Sequence, residues 1–478
     1  MGNKKVVILM VISLLVGAIG SYAGFQLKLN ISQTKQLEEM GGSQQLASDL
    51  EKMNAAYQLI YKNYVEEVDA HKLTEGAIQG MLSTLNDDYS VYMDESTAKQ
   101  FSETLDSSFE GIGAEVSLVD GKIIIVSPVK NSPAEQAGLK PNDQIIKIDD
   151  ESVEGFNLLQ ATLKIKGKKG TKVKLTIMRE GLQNPLEIEI VRAEIPHITV
   201  NSEVIMHDKE KVGYVEITSF ATDTAKEFKI ALKDLEEQGM DSLLIDVRNN
   251  PGGLLKVVDE ILEELVTKDK PYVQIEQRNG ERMMNFSPLE EKKSYPIGVL
   301  IDKGSASASE ILAAALKEAG DYPLIGTQTF GKGTVQQPVP MGDGSNIKLT
   351  LYKWLTPDGN WIHKKGVAPT YEVKQSELYE THPIQVEKTL KTDMNNDQVR
   401  NAQFILKSLG YAPGREDGYY SAATATAVRA FQHAAGLTAN GQIDEKTAES
   451  LEKEVIKQRN NQDNDMQLQT GLRIMANQ

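Results

Sequence analysis

The sequence has no cysteine. That excludes disulfides, thiolate metal sites, a cysteine nucleophile and a lipid-modified N-terminal cysteine, so covalent chemistry falls to serine, lysine, histidine and the carboxylates. An oxidising compartment is tolerated by such a chain rather than indicated. Positive charge is also scarce: the formal net charge is -16 and no Lys/Arg cluster stands out, which argues against nucleic acid as a partner. With 478 residues, 40% hydrophobic and 25% charged, the chain is too long for one domain, and three or four are expected.

Charge is missing altogether from VVILMVISLLVGAIGSYAGF, Val6 to Phe25, which follows Lys4 and Lys5. Residues 1–25 are expected to enter a membrane with the lysines inside, leaving residues beyond about 30 outside the cytoplasm. Ser21 and Ala23 form the small-x-small pair of a cleavage site, so signal anchor and cleaved signal peptide both remain open, the anchor being preferred. Over 26–92, Leu46, Leu50, Met53, Tyr57, Ile60 and Tyr64 follow the spacing of an amphipathic helix seam. That seam needs a partner, either its own domain or a second copy in a homodimer.

Residues 93–190 change character. Strand-like runs (KIIIVSPV, QIIKIDD, TKVKLTIMRE) are broken by Gly, Pro and Asp turns and by a short helix in SPAEQAGL. Residues 191–385 alternate strands and helices: KVGYVEIT, TAKEFKIALKDLEEQG, SLLIDVR, LLKVVDEILEELV, PIGVLID, SASEILAAALKEAG and PLIG, the pattern of an α/β domain. The helix over 224–238 carries its apolar stripe at Phe228, Ala231, Leu232 and Leu235 and stops at Gly239. Two loops therefore lie between a strand and a helix N-terminus: RNNPGG at 248–253 and GSASASE at 304–310.

Those loops carry the candidate chemistry. Ser307-x-x-Glu310 before an apolar run has the ordinary reading of a capping box. A helix N-terminus is also where an oxyanion is stabilised, by unpaired N–H groups and the helix dipole. The glycines of NPGG let backbone N–H groups approach a carbonyl closely. A serine nucleophile needs a base, and no motif ties the six histidines to either loop. Lysine is the alternative: TFGKGTVQQP places Lys332 between two glycines with Gln336 four residues on, both facing one way on an extended segment. A lysine between glycines is usually a solvated turn residue. As a base it must be buried so that its pKa falls from about 10.4 towards roughly 7 to 8, a shift of about 4 kcal/mol.

Together, GSASASEI with its alanine-rich helix, TFGKGTVQ, RNNPGG and LTPDGNWIHKKGVAPTYEV resemble the carboxy-terminal processing proteases of Gram-positive type, over about residues 50 to 375. The resemblance implies Ser307 as nucleophile, Lys332 as general base and Gln336 as supporting amide. It also implies an oxyanion hole from the N–H groups of Ala308 and the glycine pair, Gly253 being preferred over Gly252. No metal and no organic cofactor is implied. Thr370 stands where relatives often have an acid.

The stretch with GIGA at Gly111, Ile112, Gly113 and Ala114, NSPAEQAGLKPNDQIIKID and GKKGTKVKL resembles a PDZ domain, which implies capture of C-terminal tails by a glycine-rich loop and an edge strand. Relatives often carry Arg where this chain has Lys166, so an arginine-dependent contact gating the protease is not carried over. After a polar linker at 385–396, residues 393–457 (LKSLGY, DGYYSAATATAVRAFQ, GLTANG) resemble the small helical peptidoglycan-binding domain, with Asn440 where the family often has Asp. Wall binding is expected, protein docking and a purely structural role staying open. Residues 458–478, rich in Asn and Gln, are expected to be disordered.

The expected fold is multidomain α+β: N-terminal helices, an inserted PDZ β-domain, an α/β serine-protease core and a small all-α C-terminal domain. The expected function is an extracytoplasmic serine endopeptidase of the cell envelope, its cleavage gated by tails bound to the PDZ domain. The substrates expected are protein C-termini, membrane-anchored signalling proteins of the same compartment included, as in the developmental cascades of spore-forming bacteria where related enzymes act. A non-catalytic scaffold and a serine hydrolase acting on peptidoglycan peptides are the alternatives.

Overall fold

The computed structural model describes residues 43–477 apart from 106–107, 120, 130–131, 141, 157, 180–183 and 197. The apolar run at 6–25 lies outside the described residues; among those described, no helix is long and apolar enough to cross a membrane. The chain divides into two compact units, one ending at Tyr92 and the other beginning at Met93.

The first unit holds helices α1 (Ser43–Asn63) and α2 (Ala70–Ser83), α2 being capped by Asp69, whose carboxylate accepts from the N–H groups of His71 and Lys72. The predicted seam is largely exposed, Leu50 at 55% and Tyr64 at 60%; Tyr57, half-buried, reaches the Ala70 carbonyl at 3.3 Å.

The second unit opens with α3 (Glu95–Leu105) and continues into a β-domain. Strands β1 (Ala114–Val119), β2 (Lys122–Pro128), β3 (Gln144–Ile148), β4 (Lys172–Met178) and β5 (Leu186–Val191) form one antiparallel sheet in that order, so β1 is an open edge. Helix α4 (Leu158–Ile165) packs beside β1. Alternation sends Ile123, Ile125, Ile145, Val173, Leu175 and Ile177 into the core of this domain.

The α/β core is built on a six-stranded sheet: β6 (Val200–His207), β7 (Glu210–Ile217), β8 (Ser242–Asp246), β11 (Ile297–Ile301), β12 (Leu324–Gly326) and β15 (Tyr371–Glu372). After the β6–β7 hairpin every neighbour is parallel. β8 and β11 are buried along their whole length, as parallel strands covered on both faces must be. On one face lie α5 (Thr224–Glu237), α6 (Leu255–Leu262) and α7 (Ala308–Glu318). A second sheet sets β14 (Asn346–Leu355) against β9 (Val273–Glu276), with β10 (Arg282–Asn285) outside β9 and β13 (Thr334–Pro340) on the other side of β14.

Two expectations are corrected here. The segment 458–478, described as far as residue 477, is not the disordered tail expected. After a short turn they form α11 (Met466–Met475), capped by Asp465, and Leu468, Leu472 and Met475 bury themselves against Val212, Leu244, Leu300 and Ile325 on the other face of the core sheet. A polar composition hides the one apolar stripe, at steps of four and three, that suffices to cover a bare sheet face. The same segment brings Asp465 to the end of β8, where Arg248 bonds Asp246 at 2.6 Å and Asp465 at 2.9 Å. Burial works against the Arg248 charge, but the two carboxylates outweigh it and hold the pKa above the ordinary arginine range.

The second correction concerns the linker at 385–396. Leu378, Ile384 and Leu390 join the core of the helices α8 (Asp397–Ser408), α9 (Ala422–Ala434) and α10 (Glu445–Arg459), and Leu390 pairs with Ile443 in both directions at 2.9 Å. The C-terminal domain thus begins before 393, because its three helices do not close their core alone. Asn440 does the turn work available to Asp: its Oδ1 accepts from Gln442 N at 2.8 Å and from Gln432 Nε2 at 3.0 Å.

Candidate active site

The parallel strands β8 and β11 end side by side, and the loops leaving them, 247–253 and 302–309, are bonded into one assembly. Ser305 Oγ donates to the Val247 carbonyl at 2.7 Å, Ser309 Oγ to the Asn250 carbonyl at 2.8 Å, and Ala306 N to that same carbonyl at 3.0 Å. Asn249 N in turn donates to Asp302 Oδ1 at 2.8 Å. Ser305 and Ser309 are fully buried, at 0% exposure. Of the three serines in GSASASE, Ser307 alone is half-buried with its side chain outside this bracing.

Ser307 caps α7 in a left-handed conformation, φ 56° and ψ -113°. A non-glycine residue there stores backbone strain, and its neighbours over-determine it. Opposite it, the left-handed Gly252 (φ 103°) has no room for a side chain: a Cβ would lie 2.9 Å from both Ser307 Cβ and Ala308 N. A Cβ on Gly253 (φ 150°) would lie 2.2 Å from the Phe220 carbonyl oxygen. The two glycines differ in their hydrogen bonds. Gly252 N donates to Asn250 Oδ1 at 2.9 Å, whereas the N–H groups of Gly253 and Ala308 make no hydrogen bond among the described residues.

Glu310 joins this assembly to the lysine segment. It is completely buried, and its carboxylate accepts four hydrogen bonds: Oε2 from Ser307 N at 2.9 Å and Lys332 N at 2.7 Å, Oε1 from Thr329 Oγ1 at 2.6 Å and Gly331 N at 2.7 Å. The capping box read from sequence is therefore half of its role. One carboxylate oxygen takes the backbone N–H of both Ser307 and Lys332, which makes the two segments neighbours although 25 positions separate them in the chain. Position 310 signals only a cap in the sequence, because its other donors lie about twenty residues downstream.

Gln336 lies on β13, and its amide is engaged by two threonines. The register shift between Val335 and Gln336 falls on the facing strand, where Leu351 is the extra residue, so Gln336 keeps the alternation of its own strand and lies on the side of Thr334. Its amide donates to Thr334 Oγ1 at 2.9 Å and Thr350 Oγ1 at 3.1 Å. Thr370 pairs with Leu324 through both backbone and side chain (2.7 and 3.1 Å), a structural role beside β12.

In the β-domain, the carbonyls of the GIGA loop are held from inside: Val129 N and Ser132 Oγ donate to Gly113 O, each at 2.8 Å, and Ala134 N to Ile112 O at 2.8 Å. The N–H groups of Ile112 and Gly113 make no hydrogen bond among the described residues. Lys166 lies at the rim of this loop, its ammonium 5.2 Å above the Phe109 ring. Among the described residues no group of acids and histidines is arranged to hold a metal ion.

Four family profiles match the chain: Peptidase family S41 over residues 211–373, a PDZ domain over 111–190, the Activating protease CtpB N-terminal domain over 14–97 and a Putative peptidoglycan binding domain over 395–451. The carboxy-terminal processing protease CtpB of Bacillus subtilis is 54% identical over 477 residues, covering 99% of both chains. CtpA of the same organism is 42% identical over 428 residues, covering 90% of each. Among solved structures, the photosystem II D1 C-terminal processing protease is 27% identical with a TM-score of 0.42, over 66% of this chain and 85% of that one.

Proposed function

Since the chain belongs to the carboxy-terminal processing proteases of peptidase family S41, and is a serine peptidase with PDZ and peptidoglycan-binding domains, we propose that Ser307 is its nucleophile and Lys332 its general base. The observation that carries this assignment is the Glu310 carboxylate, whose one oxygen accepts from the backbone N–H of both residues. Lys332, as neutral amine, takes the Ser307 proton while Oγ attacks the peptide carbonyl. The oxyanion accepts from Gly253 N–H and Ala308 N–H, the pair left unbonded, with Gly252 shaping the approach. The lysine ammonium then protonates the leaving amine, and a water deprotonated by the same lysine releases the acyl group. Gln336 is the amide available to orient the lysine amine, once it turns from Thr350.

Tail capture falls to the PDZ domain. The Ile112 and Gly113 N–H groups face a terminal carboxylate, Lys166 stands at the rim, and the open edge of β1 beside α4 receives the peptide as an added strand. Gating of the protease by this binding is supported by connectivity. Helix α3 leads into the PDZ domain, and its Phe101 lies under the Lys348 ammonium at 4.7 Å. Lys348 belongs to β14, which pairs with the strand of Gln336.

The charge-free run after Lys4 and Lys5, with the wall-binding profile, supports an extracytoplasmic, membrane-anchored enzyme at the envelope of a Gram-positive cell. The exposed seam of α1 supports a homodimer, and membrane-anchored signalling proteins of the same compartment are the substrate class, sporulation signalling included. The test is digestion of an unfolded protein by the full chain, read by mass spectrometry. Ser307→Ala and Lys332→Ala are expected to be inactive while still binding C-terminal peptides. Loss of activity in Ser305→Ala or Ser309→Ala with Ser307→Ala still active would refute the assignment.

A further inference from the structure

The chain contains two tryptophans, and both indoles are directed at the same stretch of backbone. Trp354, 1% exposed and paired with Ile275 across the sheet, donates Nε1–H to the Lys332 carbonyl at 2.7 Å. Trp361 donates Nε1–H to the Gly333 carbonyl, also at 2.7 Å. From the other sides, Lys364 N donates to the Gly331 carbonyl at 2.7 Å, and Glu310 accepts from the N–H groups of Gly331 and Lys332. The backbone around the lysine is thus gripped residue by residue.

Glycines on both sides of a lysine would otherwise leave it on the most mobile backbone a chain can offer. They are needed for space: a Cβ on Gly331 would lie 2.9 Å from the N atoms of Lys365 and Gly366, and one on Gly333 2.8 Å from His363 N. The glycines admit the 361–366 turn, and the indoles restore the rigidity that the glycines remove. A buried indole must find an acceptor in any protein, so Trp354 alone carries little. Trp361 is 40% exposed and has water available, yet its N–H is turned inward to Gly333. Its ring is held for that bond by His363, stacked 5.1 Å away at 14°, and by the Lys353 ammonium, 4.8 Å from the ring centroid.

We propose that Trp354 and Trp361 are positioning residues for Lys332, their indole N–H groups fixing the two peptide planes that follow the lysine Cα. This rests on the reading of Lys332 as the general base. Phenylalanine at either position keeps an aromatic ring and removes the donor. The Trp361→Phe full-length enzyme is expected to lose roughly fivefold in kcat, the worth of one hydrogen bond, with KM unchanged. The acid limb of its kcat/KM–pH profile is expected to move to higher pH, as a looser ammonium regains solvent. The charged and titratable groups packed on this segment, Glu310, Lys353, His363 and Lys364, are the same in both enzymes, so the displacement reports on the lysine. The denaturant midpoint is expected to fall by no more than the loss of one hydrogen bond explains; the moved acid limb is the readout that a merely structural defect would leave in place.

Trp354→Phe, deeper in the core, is expected to add a second fall in kcat. If it does not fold, Trp361→Phe decides alone. Wild-type kcat and an unmoved acid limb in Trp361→Phe, with Lys332→Ala inactive, would overturn the positioning role while leaving the base assignment standing. An active Lys332→Ala would overturn the base assignment and the positioning role with it.

Discussion

Replacing Glu310 by glutamine removes one oxygen and one charge from a site where four donors converge, and the size of the effect follows from the geometry. The carboxylate oxygens each accept two hydrogen bonds at 2.6 to 2.9 Å. A glutamine amide accepts at one end only, and its NH2 group faces two donors at the other. Two hydrogen bonds to a charged acceptor are lost, each worth about 1.5–3 kcal/mol, so the fold is expected to lose roughly 3–6 kcal/mol. Whichever way the amide turns, the backbone link between Ser307 and the lysine segment is broken or weakened. If about 2.7 kcal/mol of the loss reaches the transition state, kcat falls by about 100-fold. Glu310→Asp keeps the charge but falls one methylene short of spanning both segments, and is expected to lie between. Guanidinium unfolding and turnover of an unfolded protein measure both effects on the same samples. Unfolding midpoint and kcat within about twofold of wild type in Glu310→Gln would refute the claim that this carboxylate holds the two catalytic segments together.

Four further outcomes are expected. Asp259, in α6, has its pKa raised by burial from 3.8 to about 6, against the opposing side-chain hydrogen bonds of Tyr272 and Asn285. The folded state therefore holds a proton that the unfolded state releases between about pH 4 and 6, stability falls as pH rises through that window, and the full penalty above it is about 3 kcal/mol. Asp259→Asn is expected to raise the unfolding midpoint at pH 7.5 and not at pH 4; equal shifts at both would sink the idea. Leu472→Ala, at a 2% exposed position under the core sheet, is expected to lose about 2–4 kcal/mol by guanidinium unfolding, and a loss below about 0.5 kcal/mol would mean that α11 does not cover that face. Leu50→Glu in the exposed seam of α1 is expected to convert dimer to monomer in analytical ultracentrifugation; an unchanged species distribution would argue against the seam as the contact. Sacculi are expected to pull down the full chain, and equal recovery of a protein lacking the peptidoglycan-binding domain would assign that binding elsewhere.

The alternation of strands and helices over 191–385 is visible in sequence because each element repeats its own period, and the parallel core follows from it. The loop that holds Ser307 is also visible, since its motif combines a helix start with a strand end. What escapes is non-local. Glu310 reads as a cap because a cap is the only role its neighbours in sequence can display; its bonds to Thr329, Gly331 and Lys332 exist only after β12 is laid beside β11. The indoles of Trp354 and Trp361 lie beyond the lysine motif in a stretch whose turn residues draw the eye, and nothing local says that their N–H groups point back. Gln336 keeps the alternation of its strand, but one partner of its amide, Thr350, lies on the facing strand, where period counting does not reach. The average composition of 458–478 is that of a disordered tail, while α11 needs only Leu468, Leu472 and Met475 on one side.

The docking of α11 has a consequence for the order of events during synthesis. The underside of the core sheet is made by residues between Val212 and Ile325, but its cover, Leu468 to Met475, emerges only after the entire wall-binding-like domain has been threaded out. A chain made from its N-terminus therefore carries an open hydrophobic face until its last helix is complete, and the Arg248–Asp465 pair beside the NPGG loop closes last. Maturation is expected to be stepwise, with protease-resistant core appearing in a pulse-chase only after residue 475 has been made; full resistance in chains arrested near residue 380 would contradict it. A peptidase timed in this way completes its catalytic sheet at the moment when its wall attachment is also ready.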